Sequence, residues 1–110
     1  MKKIQKKVDG WIKQYKEGYF KPMEIMVRLT EEVGELAREI NHRYGPKKKK
    51  ATEEKKEIGE EMADVIFTIA CLANSLKIDL DKSFESVMKK LAQRDDKRWE
   101  RKTQKPKRPR

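Results

Sequence analysis

A chain of 110 residues, 35% hydrophobic and 44% charged, has room for one domain with a modest core. Its net charge of +10 permits contact with polyanions but says little about a folded face. Glu100 to Arg110 alone carries six Lys/Arg and one Glu, a net of +5, and most of the remainder falls on Lys47 to Lys50.

The first apolar pattern places Ile4, Val8, Trp11, Ile12 and Tyr15 at helical spacing, predicting a helix over residues 2–16 with a lysine-rich outer face. Gly18 ends it, and Pro22 suits the first turn of a second helix that runs to Tyr44, where Gly45-Pro46 stops it. After the lysine run, Thr52 is the expected N-cap of a third helix, from Glu53 to about Leu76. Between Val65 and Leu76 only Thr68, Asn74 and Ser75 are polar, which makes this the central helix. Asp79 caps a fourth, Leu80 to Trp99, with Phe84, Val87, Met88 and Leu91 inward. No alternating stretch reads as a strand. The expectation is an all-α domain over 1–99 and a disordered basic tail over 100–110. Gly34 and Gly59 interrupt two helices, and close helix–helix approach is the expected reason. Cys71 is the single cysteine, so no intrachain disulfide can form. No signal-like N-terminus precedes the first helix and no apolar run approaches the ~20 residues of a membrane span, so a soluble cytoplasmic protein is expected.

Two stretches have the form acid-acid-apolar-small-acid-apolar: Glu31-Glu32-Val33-Gly34-Glu35-Leu36 and Glu60-Glu61-Met62-Ala63-Asp64-Val65, 29 residues apart. At about 3.6 residues per turn, Glu32 with Glu35 and Glu61 with Asp64 share a helix face. Each pair lies beside an apolar stripe: Leu29, Val33, Leu36 and Ile40 on one helix, and Ile58, Met62, Val65, Ile69, Leu72 and Leu76 on the other. If the stripes pack together, the carboxylates converge beside the seam. Their repulsion and desolvation then favour a hard divalent cation, Mg²⁺ or Mn²⁺, that takes oxygen ligands and can bridge to phosphates. The plain alternative is that these are solvated acids on amphipathic helices.

Other chemistry is sparse. His42 is the only histidine, and Glu39-Ile40-Asn41-His42 supplies one Glu-x-x-His where a di-iron bundle needs two. Lys90 and Arg94, four apart on the fourth helix, are ordinary surface charges unless they stand beside a metal–phosphate site, where they would clamp phosphate oxygens. Trp11, Tyr15, Tyr19 and Phe20 suit core or interface, though a flat ring near the acidic cluster could instead stack on a base; Trp11, Tyr15 and Asn74 are the base-binding candidates.

The two acidic motifs resemble the signature of the MazG-like all-α nucleoside triphosphate pyrophosphohydrolases, Glu-Glu-x-x-Glu, a gap, then Glu-x-x-Asp. Here these are Glu31-Glu32-Val33-Gly34-Glu35, 25 intervening residues, and Glu61-Met62-Ala63-Asp64. Leu29 to Glu39, Asn41 to Gly45 and Cys71 to Leu76 look like the short stand-alone members. The resemblance implies a four-helix MazG-like bundle that hydrolyses a nucleoside triphosphate between the α and β phosphates, giving monophosphate and pyrophosphate. It implies Mg²⁺ on Glu32, Glu35, Glu61 and Asp64 with Glu31 supporting, phosphate contacts from Lys90 and Arg94, and a homodimer or homotetramer. Glu57 departs from members that carry lysine one turn before the second motif, and an acid there either removes that contribution or adds a carboxylate facing the metal. Two other functions compete. One is a non-enzymatic helical module binding nucleic acid through the tail and the lysine loop, with a steep salt dependence; the other is a structural bundle with no ligand.

Overall fold

The computed structural model describes residues 1–46, 57–95, 98–100 and 102. They form four helices and, among the described residues, no strand: α1 (Lys2–Lys13), α2 (Pro22–Tyr44), α3 (Ile58–Ser75) and α4 (Leu80–Asp95). The lysine run, the Thr52 cap and the tail, except Glu100 and Lys102, lie outside the described residues. Two compact units result, Met1–Leu80 and Asp81–Arg110. No described helix is long and apolar enough to cross a membrane.

Helix α1 ends at Lys13, short of the expected Lys16. The Tyr15 N–H donates to the Ile12 carbonyl (3.1 Å), tightening the last turn, and Gly18 (φ +67°) adopts the left-handed conformation that a side chain resists. Helix α2 keeps its expected limits. Pro22 sits in the first turn, and Glu24 accepts the Lys21 N–H (3.3 Å), satisfying a donor outside the helix ladder. At Gly45 a Cβ would run into the Asn41 side chain and would stand 2.6 Å from the Asn41 carbonyl oxygen, so glycine is required at this stop.

Helix α3 begins at Ile58, not Glu53, because Glu57 is extended (φ −71°, ψ 133°) and breaks the pattern expected to run through it. Its far end closes without glycine. Lys77 takes φ 57°, its N–H donates to the Asn74 carbonyl (3.1 Å), and the Ile78 N–H donates to the Ala73 carbonyl (2.8 Å). This is a Schellman closure with lysine in the left-handed position. Helix α4 is described to Asp95, where the expected limit is Trp99; the Arg98 guanidinium lies 5.3 Å from the centre of the Trp99 ring. Within the second unit Phe84, Val87 and Met88 are exposed, contrary to the inward face expected of them.

In the first unit, Val8 of α1, Ile25 of α2, and Ala70 and Cys71 of α3 form a small apolar cluster, flanked by Ile12, Tyr19 and Leu72. Ile25 thus meets the C-terminal half of α3, whereas Glu32 meets its N-terminal half, so α2 and α3 run antiparallel. The inward face of α3 differs from the expected stripe. Glu61, Thr68, Ala70, Cys71 and Ala73 are buried, while Met62 is 49% and Leu76 48% exposed. Val33 of α2 is likewise 48% exposed. The acids occupy the seam, and part of each apolar stripe faces outward. A Cβ at Gly34 or Gly59 would meet nothing within 4 Å, so close helix approach does not explain either glycine, and nothing in the structure does.

A polar network ties α1 to the end of α3. Gln5 Nε2 donates to Asn74 Oδ1 (3.0 Å) and to the Ile78 carbonyl (2.8 Å), and Gln5 Oε1 accepts the Leu80 N–H (3.0 Å). Asn74 Nδ2 donates to the Gln5 carbonyl and to the Tyr19 hydroxyl (both 2.9 Å), which donates to Asp9 Oδ1 (2.6 Å). Burial, followed by the bond to Asp9, pushes the Tyr19 phenol up to about 12. The bond from Tyr19, and then Lys13 at 2.9 Å, holds the Asp9 carboxyl below its usual range. Tyr19 therefore stabilises the fold fully below pH ~10, where an unfolded tyrosine begins to ionise, and this contribution is lost as pH rises toward 12. Melting temperatures measured across that window are expected to fall, and Tyr19→Phe should flatten the slope.

Candidate active site

Helix spacing puts Glu32 and Glu35 on one face of α2, and the antiparallel register brings that face onto Glu61 and Asp64 of α3. Carboxylate oxygens of Glu32, Glu61 and Asp64 all lie within 4.8 Å of one another. Glu61 is 1% exposed, the largest fully buried side chain among the described residues. Glu35 stands beside Glu32 on the same face of α2, and its charge adds to the cost of ionising Glu32. Burial first, then the close approach of and repulsion from Glu35, then repulsion from Asp64 and Glu61, raise the Glu32 carboxyl above the usual glutamate range. Glu31 is exposed on α2 and does not join the three gathered carboxylates.

The arrangement fits a hard divalent cation. All donors are carboxylate oxygens, and Glu32 Oε2 is buried without a hydrogen-bond partner. A buried acceptor in that condition is costly, and a cation would satisfy it. Glu57 stands apart, 4.0 Å from Arg43 and well exposed, a pair that contributes little.

A cavity of about 440 Å³ opens beside the cluster, lined on its polar side by Glu32, Asp64 and Arg28 and on its apolar side by Trp11, Tyr15, Phe20 and Phe67. Its volume suits a small ligand. The Trp11 and Tyr15 rings meet edge to face, centroids 5.3 Å apart, and both residues are about half exposed. Asn74 does not line this cavity; its amide is engaged by Gln5 and Tyr19. Lys90 and Arg94 belong to the other unit. Arg94 donates to both Asp95 oxygens, at 2.9 and 3.0 Å, an exposed pairing that lowers the Asp95 carboxyl and raises the guanidinium. Sequence reasoning passed over Arg28 and Phe67. The available signal for Arg28 was its position four residues before Glu32, on the same helix face.

Residues 20–99 match the family profile described as the MazG nucleotide pyrophosphohydrolase domain. The uncharacterized protein YpjD of Bacillus subtilis strain 168 is 59% identical over 102 residues, 93% of this chain and 92% of its own length. The uncharacterized protein YvdC of the same strain is 34% identical over 96 residues, 78% of this chain and 91% of YvdC. A crystal structure of YpjD from Bacillus subtilis, named there as a candidate pyrophosphatase, superposes with a TM-score of 0.74 at 60% identity, covering 81% of this chain and 91% of that one. A crystal structure of the Bacillus-conserved MazG protein, a nucleotide pyrophosphohydrolase, gives a TM-score of 0.71 at 52% identity, covering 82% of this chain and 86% of that one.

Proposed function

The chain belongs to the MazG nucleotide pyrophosphohydrolase family and is an enzyme of that kind, and from this we propose that it hydrolyses a nucleoside triphosphate between the α and β phosphates, giving monophosphate and pyrophosphate, with Mg²⁺ as its ion and Mn²⁺ as a substitute. The observation that carries the reading is the convergence of Glu32, Glu61 and Asp64 beside a nucleotide-sized cavity. Glu32, Glu61 and Asp64 would hold the ion, with Glu35 behind Glu32 and Glu31 supporting from the exposed side of α2. When bound, Mg²⁺ supplies charge neutralisation for the triphosphate and a coordinated water of lowered pKa.

The protein's own groups do the rest. Buried Glu61 and half-buried Glu32 bring their carboxylates beside Asp64 before any ligand arrives, so less reorganisation remains at the moment of reaction. Glu35, beside Glu32 and outside the three gathered carboxylates, is the group left to take a proton from the attacking water. Trp11 and Tyr15 offer flat faces to the base. Asn74, the third base-binding candidate, gains no support from its bonds to Gln5 and Tyr19. Lys90 and Arg94 are assigned to phosphate oxygens on their four-residue spacing, with Arg94 exchanging Asp95 for phosphate. A cytoplasmic nucleotide pool is the expected source of substrate. The deciding experiment is a panel of nucleoside triphosphates with Mg²⁺, separating products by phosphate number. Monophosphate with pyrophosphate supports the reading; diphosphate with orthophosphate refutes it.

Homo-oligomerisation, as dimer or tetramer, is supported by the apolar side chains left on the outer faces of α2 and α3: Val33, Ile40, Met62 and Ile66, each 37–49% exposed. The double variant Val33→Glu with Ile66→Glu should lower the mass measured by light scattering to that of one chain. An unchanged mass would remove this face from the interface.

A further inference from the structure

Arg28 is a cation facing an acidic site without joining it. It lines the cavity together with Glu32 and Asp64, yet no hydrogen bond or ion pair engages it among the described residues. Pairing was available, since Glu32 lies four residues on and Glu31 three, the distances at which helix side chains meet. No other Lys or Arg lines this cavity among the described residues.

Its level in the cavity is set by the two helices. Along α2 the wall reads Ile25, Arg28, Glu32, passing from the apolar cluster through a cation to the acids. Along α3, read in reverse, it runs Cys71, Thr68, Asp64, with the same polarity. A nucleotide laid against this gradient places its nucleoside against the apolar and aromatic part and its phosphates toward the carboxylates. The phosphate attached to the nucleoside is the α-phosphate, and it comes to rest where the polarity changes, level with Arg28.

We propose that Arg28 is a substrate-binding residue that grips the α-phosphate of the nucleotide and retains it on the monophosphate after cleavage. This rests on the reading of the site as a nucleoside triphosphate site. The guanidinium suits the task because its fork of N–H donors matches two phosphate oxygens at once, and because it stays charged at any working pH.

The test separates the two products. Calorimetric titration, with Mg²⁺ present, is run with the monophosphate of the best-used triphosphate and separately with pyrophosphate, on wild type, Arg28→Ala and Arg28→Lys. Arg28 is exposed and engages nothing, so both variants should melt with the wild type. The expected result is a loss of about tenfold or more in monophosphate affinity for Arg28→Ala, partial recovery in Arg28→Lys, and unchanged pyrophosphate affinity. Monophosphate affinity that survives Arg28→Ala, or a loss shared equally by pyrophosphate, overturns the assignment while wild-type pyrophosphate release still upholds the activity. A wild type that releases no pyrophosphate from any triphosphate overturns both.

Discussion

Asp64→Asn is expected to cut pyrophosphate release by roughly a hundred- to a thousand-fold, the range found when one preorganised electrostatic contact at a reacting centre is lost. The substitution keeps the shape of the side chain and removes one charge from a set whose oxygens lie within 4.8 Å of each other. Asp64 is exposed, so the fold does not depend on its burial. The Thr68 hydroxyl bonds to the Asp64 backbone carbonyl (2.8 Å), not to its carboxylate, and that bond survives. Helicity by circular dichroism should match the wild type. Glu32→Gln should behave alike in the same assay. A variant retaining full turnover would remove its residue from the site.

The second large effect is on stability. In the metal-free protein, Glu32 is a partly buried acid beside three others, and its raised pKa records the cost of ionising it there. A group whose pKa is higher folded than unfolded adds its stability below the unfolded value, ~4.3 for glutamate, and loses it as pH climbs through the folded value. Metal-free protein should therefore gain melting temperature as pH falls through the raised Glu32 value toward the unfolded one, the reverse of a domain held by salt-bridged carboxylates. Mg²⁺ or Mn²⁺ at about a hundred times its dissociation constant should add about 2.7 kcal/mol, which for a domain of this size corresponds to roughly 10 °C or more. Glu32→Gln should raise the metal-free melting temperature and abolish the response to the ion. An ion-induced shift of equal size in wild type and variant would separate the carboxylate from metal binding.

The acidic pairs were legible because a three-residue spacing maps to one helix face whatever the tertiary structure. The limits of α2 were legible for a similar reason: Pro22 and Gly45 act through their own backbones. The face of α3 that turns inward was not. Between Val65 and Leu76 that helix is apolar nearly all round, so its wheel has no unique seam, and packing placed Glu61, Thr68 and Cys71 inside while Met62 stayed out. Asn74 reads from sequence like any polar residue near a helix end, and only the fold reveals Gln5 beside it, 69 positions away. Lys77 carries no signal for its left-handed backbone, which glycine would have announced.

The crowding that raises the Glu32 carboxyl has a thermodynamic consequence. Ligation needs that carboxyl bare, so as the cation enters, whatever share of Glu32 holds a hydron gives it up to the buffer. Apparent affinity for the ion must then climb with alkalinity, and the measured heat of loading must vary with the ionisation enthalpy of whichever buffer accepts what the protein releases.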